Sequence, residues 1–134
     1  MNKRELRLEK YGISSKRYKE LCGFCEQYPE WKRELENYSF MKGISYSDMP
    51  KSPNVGQSNP TEEMAIRMEK LLGNCMLVEE TAKAADEEFW EYLIRSACYE
   101  ESINYLQTVK GLCLSQHAFY KKRRYFFYLL SQKK

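Results

Sequence analysis

The chain has 134 residues, of which 43% are hydrophobic, 31% charged and 14% aromatic. That is a soluble globular composition, not a disordered one. No run approaches the roughly 18 consecutive apolar residues of a membrane span, and the opening MNKRELRLEK has no apolar stretch after its charges, so no secretory signal is expected. The formal net charge of +3 hides an asymmetry: residues 61–102 hold eleven acids against four bases, and residues 103–134 hold seven bases and no acid.

Ser14 or Ser15 is placed to cap a first helix. Tyr18, Leu21, Cys22, Cys25 and Tyr28 follow at spacings that put them on one face. Pro29 suits the first turn of a second helix, whose apolar residues are Trp31, Leu35 and Tyr38. Residues 40–60 combine two Gly, three Pro and several Ser and Asn without a helical period, which predicts a loop.

A third helix starts with Asn59 as cap, Pro60 at the first helical position and Glu62 at the capping-box position. Met64, Met68, Leu71, Cys75, Val78, Ala82 and Ala85 then alternate at spacings of four and three, an a/d seam of three heptads. At 1.5 Å per residue this helix is roughly 39 Å long and needs a partner along its length. Met64, Met68, Leu71, Cys75 and Val78 are the candidate oligomer interface, and a dimer is the expected assembly.

Asp86 is placed to cap a fourth helix carrying Phe89, Leu93, Ile94 and Ala97. Ser102 opens a short helix with Ile103 and Leu106, which ends at Lys110 and Gly111. Ser115 caps the last helix, which runs through Leu130. No strand pattern occurs, so the expected fold is all-α. Residues 1–58 form an N-terminal helical segment and loop, 59–85 the long helix, and 86–134 a terminal unit.

A helix, a turn with Gly and a capped basic helix describe a helix-turn-helix. Phe119, Phe126, Phe127 and Leu130 would pack its last helix. Gln116, His117, Tyr120, Lys121 and Arg124 are the candidate base contacts in a DNA major groove. Ser115, Lys110, Lys122 and Arg123 are the candidate phosphate contacts. The competing reading is a solvated basic face over an aromatic packing stripe.

Three runs carry a resemblance: YGISSKRYKELCGFCEQYPEWKRELE, KGISYSDMPKSPNVGQSNPTEEMAIR and HAFYKKRRYFFYLLSQKK. Together they resemble small phage and prophage proteins of Gram-positive bacteria described as RinA-like or ArpU-like regulators of late phage transcription. The resemblance covers nearly the whole chain. It implies a C-terminal helix-turn-helix like that of sigma factors, binding to double-stranded DNA in the cytoplasm of a bacterial host, and host RNA polymerase as a candidate second partner. The link from Thr108 to Gln116 departs from the pattern, being longer and more apolar than a tight turn.

The other signals are plainer. Cys22-Gly23-Phe24-Cys25 lacks the strand–helix context of a redox motif, and five irregularly spaced cysteines do not make a disulfide framework. A single His leaves little for hydrolytic chemistry. The acids Glu79, Glu80, Asp86, Glu87, Glu88 and Glu91 read first as a solvated face. Neither catalysis, metal nor cofactor is expected. Two alternatives to a regulator are a DNA-packaging protein like a small terminase subunit and a protein-interaction module that binds no DNA.

Overall fold

A computed structural model describes residues 11–48 and 58–134 of the chain, with side chains at 11–39 and 62–134. The protein is all-α. Six helices and no strand occur among the described residues: α1 (Ser15–Glu26), α2 (Tyr28–Asp48), α3 (Ser58–Ala85), α4 (Trp90–Cys98), α5 (Ile103–Thr108) and α6 (Gln116–Lys133). None of the described helices is long and apolar enough to cross a membrane.

Serine hydroxyls start three of the helices. Ser14 is extended and accepts from the Arg17 N–H at 3.1 Å. Ser102 accepts from the Tyr105 N–H at 3.1 Å, and Ser115 from the Ala118 N–H at 3.2 Å. Each satisfies a donor that the first helical turn leaves without an intrahelical partner. Asp86 does similar work one turn early: its carboxylate accepts from the N–H groups of Glu88 at 3.0 Å and Phe89 at 2.8 Å, and α4 follows at Trp90.

Two boundaries differ from the sequence expectation. Helix α2 continues to Asp48, nine residues into the stretch expected to be a loop. The Gly and Ser residues there are only unfavourable in a helix, by up to about 1 kcal/mol each, and the first residue that forbids one is Pro50. Helix α3 begins at Ser58, one residue before the expected cap. The Asn59 and Pro60 side chains lie outside the described residues.

Helix α3 is the central beam. Met68, Leu71, Cys75, Val78 and Ala82 are buried along it. They are covered by the chain itself: α3 packs most extensively on α6, then on α2, then on α4. This corrects the expected oligomer interface. Met68, Leu71, Cys75 and Val78 belong to the core, and only Met64 of that set is exposed, at 42%. The heptad spacing reports burial of one stripe, and three helices of the same chain supply that burial without a second subunit.

The three segments also share one core. Its buried cluster includes Leu21 and Cys25 of α1, Trp31 of α2, the α3 seam, Leu93 and Ile94 of α4, Leu106 of α5, and Phe119, Phe126, Phe127 and Leu130 of α6. The link between α5 and α6 is built into it. Gly111 takes the left-handed conformation at φ +78°, which a side chain resists. The Leu112 N–H then returns to the Leu106 carbonyl at 2.9 Å, and the Leu112 side chain is buried. Gln107 Nε2 donates to the Leu114 carbonyl at 2.6 Å. The link is therefore anchored to the core at Leu112, while Val109 and Cys113 stay exposed.

The seam's role is testable. Leu71→Ala should lower the unfolding free energy by about 2–5 kcal/mol, the cost of a truncated core leucine. Urea denaturation at several protein concentrations should give the same loss throughout. A loss that grows as the protein is diluted would return the seam to a subunit interface.

Candidate nucleic-acid interface

Helix α6 carries most of the basic C-terminal quarter, and its packing decides which of those charges meet solvent. Phe126 and Phe127 are adjacent and both fully buried, as are Phe119 and Leu130. The helix that carries them packs on α3, α1 and α4. Turning about 100° per residue, the remaining face is His117, Lys121, Tyr125 and Gln132, all exposed, with Tyr128 half-buried among them.

The expected base contacts divide accordingly. Gln116, His117 and Lys121 are exposed on the first two turns of α6. Tyr120 is half-buried and lines a cavity with Tyr18 and Arg123. Arg124 is buried, with 8% of its surface exposed. This corrects its assignment as a base contact: the wide aromatic arc draws its position to the edge of the core, away from any groove.

The expected phosphate contacts divide as well. Ser115 is exposed at the cap, and Lys110 is exposed with its ammonium 5.9 Å from the Tyr105 ring centre. Lys122 instead meets the Asp86 carboxylate at 2.5 Å. Arg123 donates from Nε to Ser96 Oγ at 3.1 Å and from a terminal nitrogen to the Tyr18 hydroxyl at 2.7 Å, and lies 4.9 Å from the Phe127 ring centre. These two cations tie α6 to its neighbours. Their assignment to phosphate is corrected for that reason: a DNA contact would have to break bonds that position the helix.

Several surface residues beside α6 were not singled out from the sequence. Lys16 and Lys19 of α1 are exposed, and Arg17 donates to the Ser131 carbonyl at 3.3 Å, which brings the start of α1 to the last turns of α6. Tyr11 lies tilted against Tyr128 with ring centres 4.9 Å apart, and Tyr128 stacks on Tyr125 at 6.3 Å. The spacing of positions 117, 121, 125, 128 and 132 was the available signal for the α6 members. Nothing in the sequence signalled Tyr11, because its place depends on a long-range contact.

Three of the five cysteines are core groups, and Cys113 is exposed. Cys25 of the CxxC, Cys75 and Cys98 are buried and Cys22 is half-buried. A hydrogen bond with Cys25, then burial, pushes the Cys98 thiol far up, and burial pushes Cys75 up to about 11. Thiols held so high stay protonated at neutral pH and are poor nucleophiles. No group of three or more His, Cys, Asp or Glu side chains among the described residues could hold a metal ion. Near the α2–α3 junction Tyr28 donates a short hydrogen bond to Glu79, while Lys32 lies 3.6 Å from the same carboxylate. Burial first, then that bond, raises the Tyr28 phenol. Glu79 thus braces α2 against α3, while Glu80, Glu87, Glu88 and Glu91 are exposed.

Compared with known families, curated proteins and solved structures, the chain matches no family model, no curated protein and no solved structure.

The Asp86–Lys122 pair has a pH signature. Burial raises the Asp86 carboxyl, but the Lys122 hydrogen bond, the Phe89 and Glu88 N–H groups and the Lys122 charge outweigh it and hold it below 3.8. Its contribution to stability is complete above the unfolded value and is lost as pH falls through the lower folded value. Asp86→Asn should therefore be less stable than the parent at neutral pH. Urea denaturation across a pH series should show that gap closing below about pH 4. A gap that is unchanged by pH would remove the ion pair as its cause.

Proposed function

We propose that this protein is a sequence-specific DNA-binding regulator of phage late transcription, with α5, its link and α6 acting as a helix-turn-helix. The observation that carries this reading is the first half of α6. Its start is capped by Ser115, and Gln116, His117 and Lys121 project from it into solvent. The face opposite Lys121 is locked into the core by Phe119, Phe126, Phe127 and Leu130. A rigid helix with exposed amide, imidazole and ammonium donors at its N-terminal end suits base edges in a major groove. No acid occurs from residue 103 onward, so nothing on α6 itself repels phosphate.

Gln116, His117 and Lys121 are the residues for base edges, and Ser115, Lys110, Lys16 and Lys19 supply the phosphate side. The resemblance to RinA-like or ArpU-like regulators supports the same biology and adds RNA polymerase as a candidate partner. A dimer on a two-fold site is the natural assembly for such a reader, and its contact surface would lie outside the buried α3 seam.

Duplex binding at two salt concentrations tests the reading, with phage DNA flanking the gene against unrelated DNA. Tight binding that prefers the flanking DNA and weakens with salt is expected. Gln116→Ala should cost about 1–3 kcal/mol on the preferred sequence and little elsewhere. Lys121→Ala should act the same way if it meets a base; a uniform loss on all sequences would make it a phosphate contact. Equal affinity for both DNAs would favour a packaging role. Absence of binding at low salt would overturn the proposal in favour of a protein partner.

A further inference from the structure

Beyond the first two turns of α6, three tyrosines from two parts of the chain form a ladder of rings. Tyr11 lies 4.9 Å from Tyr128, and Tyr128 lies 6.3 Å from Tyr125 with the planes only 22° apart. The ladder is held in place. Gln132 Nε2 donates to the Tyr128 hydroxyl at 2.8 Å. Gly12, at φ +75°, turns the chain so that Tyr11 reaches α6 while Ile13 enters the core. Yet the ends stay open to water: Tyr11 is 36% exposed and Tyr125 40%.

The ladder borders a cavity of about 380 Å³, lined by Tyr11, Ala85, Ala118, Lys121, Lys122 and Tyr125. Two alanines leave the room. Lys122 is neutralised by Asp86, and Lys121 stands exposed at the rim. Lys121 and Tyr125 are one helical turn apart, about 5–6 Å between side-chain origins. A nucleotide carries its phosphate and its base on one sugar, so the two groups fall within reach of these two side chains together.

We propose that this concavity binds an unpaired nucleotide of single-stranded DNA, with the base stacked on the Tyr125 ring and its phosphate on Lys121. A paired base has both π-faces covered by its neighbours in the duplex, so only an unpaired base offers a face to tyrosine. The inference rests on the nucleic-acid reading above and adds a strand-separated substrate to it.

Labelled dT15 and a 15-base-pair duplex, titrated onto the full chain, test it. Tyr125→Ala should weaken dT15 binding by about five- to a hundredfold, the worth of one base–aromatic stack. Tyr125→Phe keeps the ring face and should stay within about twofold, and duplex binding should stay within about twofold for both variants. Equal losses on strand and duplex would overturn the stacking role. Duplex binding without any dT15 binding would overturn this inference and leave the regulator proposal standing. No binding of either DNA would overturn both. Thymidine monophosphate that competes as well as the strand, nucleotide for nucleotide, would overturn the strand reading in favour of a free nucleotide.

Discussion

The two adjacent phenylalanines of α6, Phe126 and Phe127, set the terms for the rest of the molecule. Neighbouring residues on a helix point about 100° apart, so burying both requires cover on two sides. α3, α1 and α4 together supply that cover, with Tyr18 of α1 against Phe127. Two fully buried aromatic rings are worth several kcal/mol of apolar burial, more than any single surface charge on α6 contributes. The helix therefore rotates to satisfy the rings, and the charges take what positions remain. Arg124 goes to the edge of the core, and Arg123 becomes a bridge to Ser96 and Tyr18. What is left for solvent along the middle of α6 is a narrow stripe of His117, Lys121, Tyr125 and Gln132, with Gln116 and Lys133 exposed at its ends.

The same constraint explains why the charge asymmetry of the sequence is softened in space. The acidic stretch meets α6 at the α3–α4 turn, where Asp86 binds Lys122. Arg95 pairs with Glu101 at 3.2 Å within the acidic region itself. Other C-terminal cations lie over rings: the Lys110 ammonium near Tyr105, and that of Lys134 at 4.7 Å from the Phe24 ring centre. A cation over a ring keeps its charge and its outward face, whereas one paired with a carboxylate is locally cancelled. The basic surface is thus smaller than a count of Lys and Arg suggests, and Lys16 and Lys19 of α1 extend it from outside the basic quarter.

Much of the fold was legible because its signals are local. Ser14, Ser102 and Ser115 are caps in the structure as in the sequence, since a cap needs only its own first turn. The α3 seam from Met68 to Ala82 is buried as its spacing requires. Its partner was not legible: a heptad pattern states that a stripe is covered and not by what. The candidate site was legible in its first turns, where Gln116, His117 and Lys121 are exposed. It failed at Tyr120 and Arg124. Those two were placed by the spacing of a recognition helix, when the apolar arc of α6 points the opposite face to Lys121, Tyr125 and Tyr128. The wheel was in the sequence; the width of the buried arc, which depends on having neighbours on two sides, was not.

That width also joins the candidate site to the far end of the chain. A helix covered on one side could be presented by its own terminal unit. One covered on two sides needs α1, and α1 in turn brings Gly12 and Tyr11 against Tyr128. The left-handed Gly12 is inexpensive only as glycine, and it fixes where the first described residues run. The tyrosine ladder is thus a by-product of the same packing that buried the arginines. Residues more than one hundred positions apart share one surface because Phe127, edge-on to Tyr18 at 5.1 Å, demands an N-terminal helix beside it. The aromatic core determines which side chains are offered to solvent, and the basic residues follow from it.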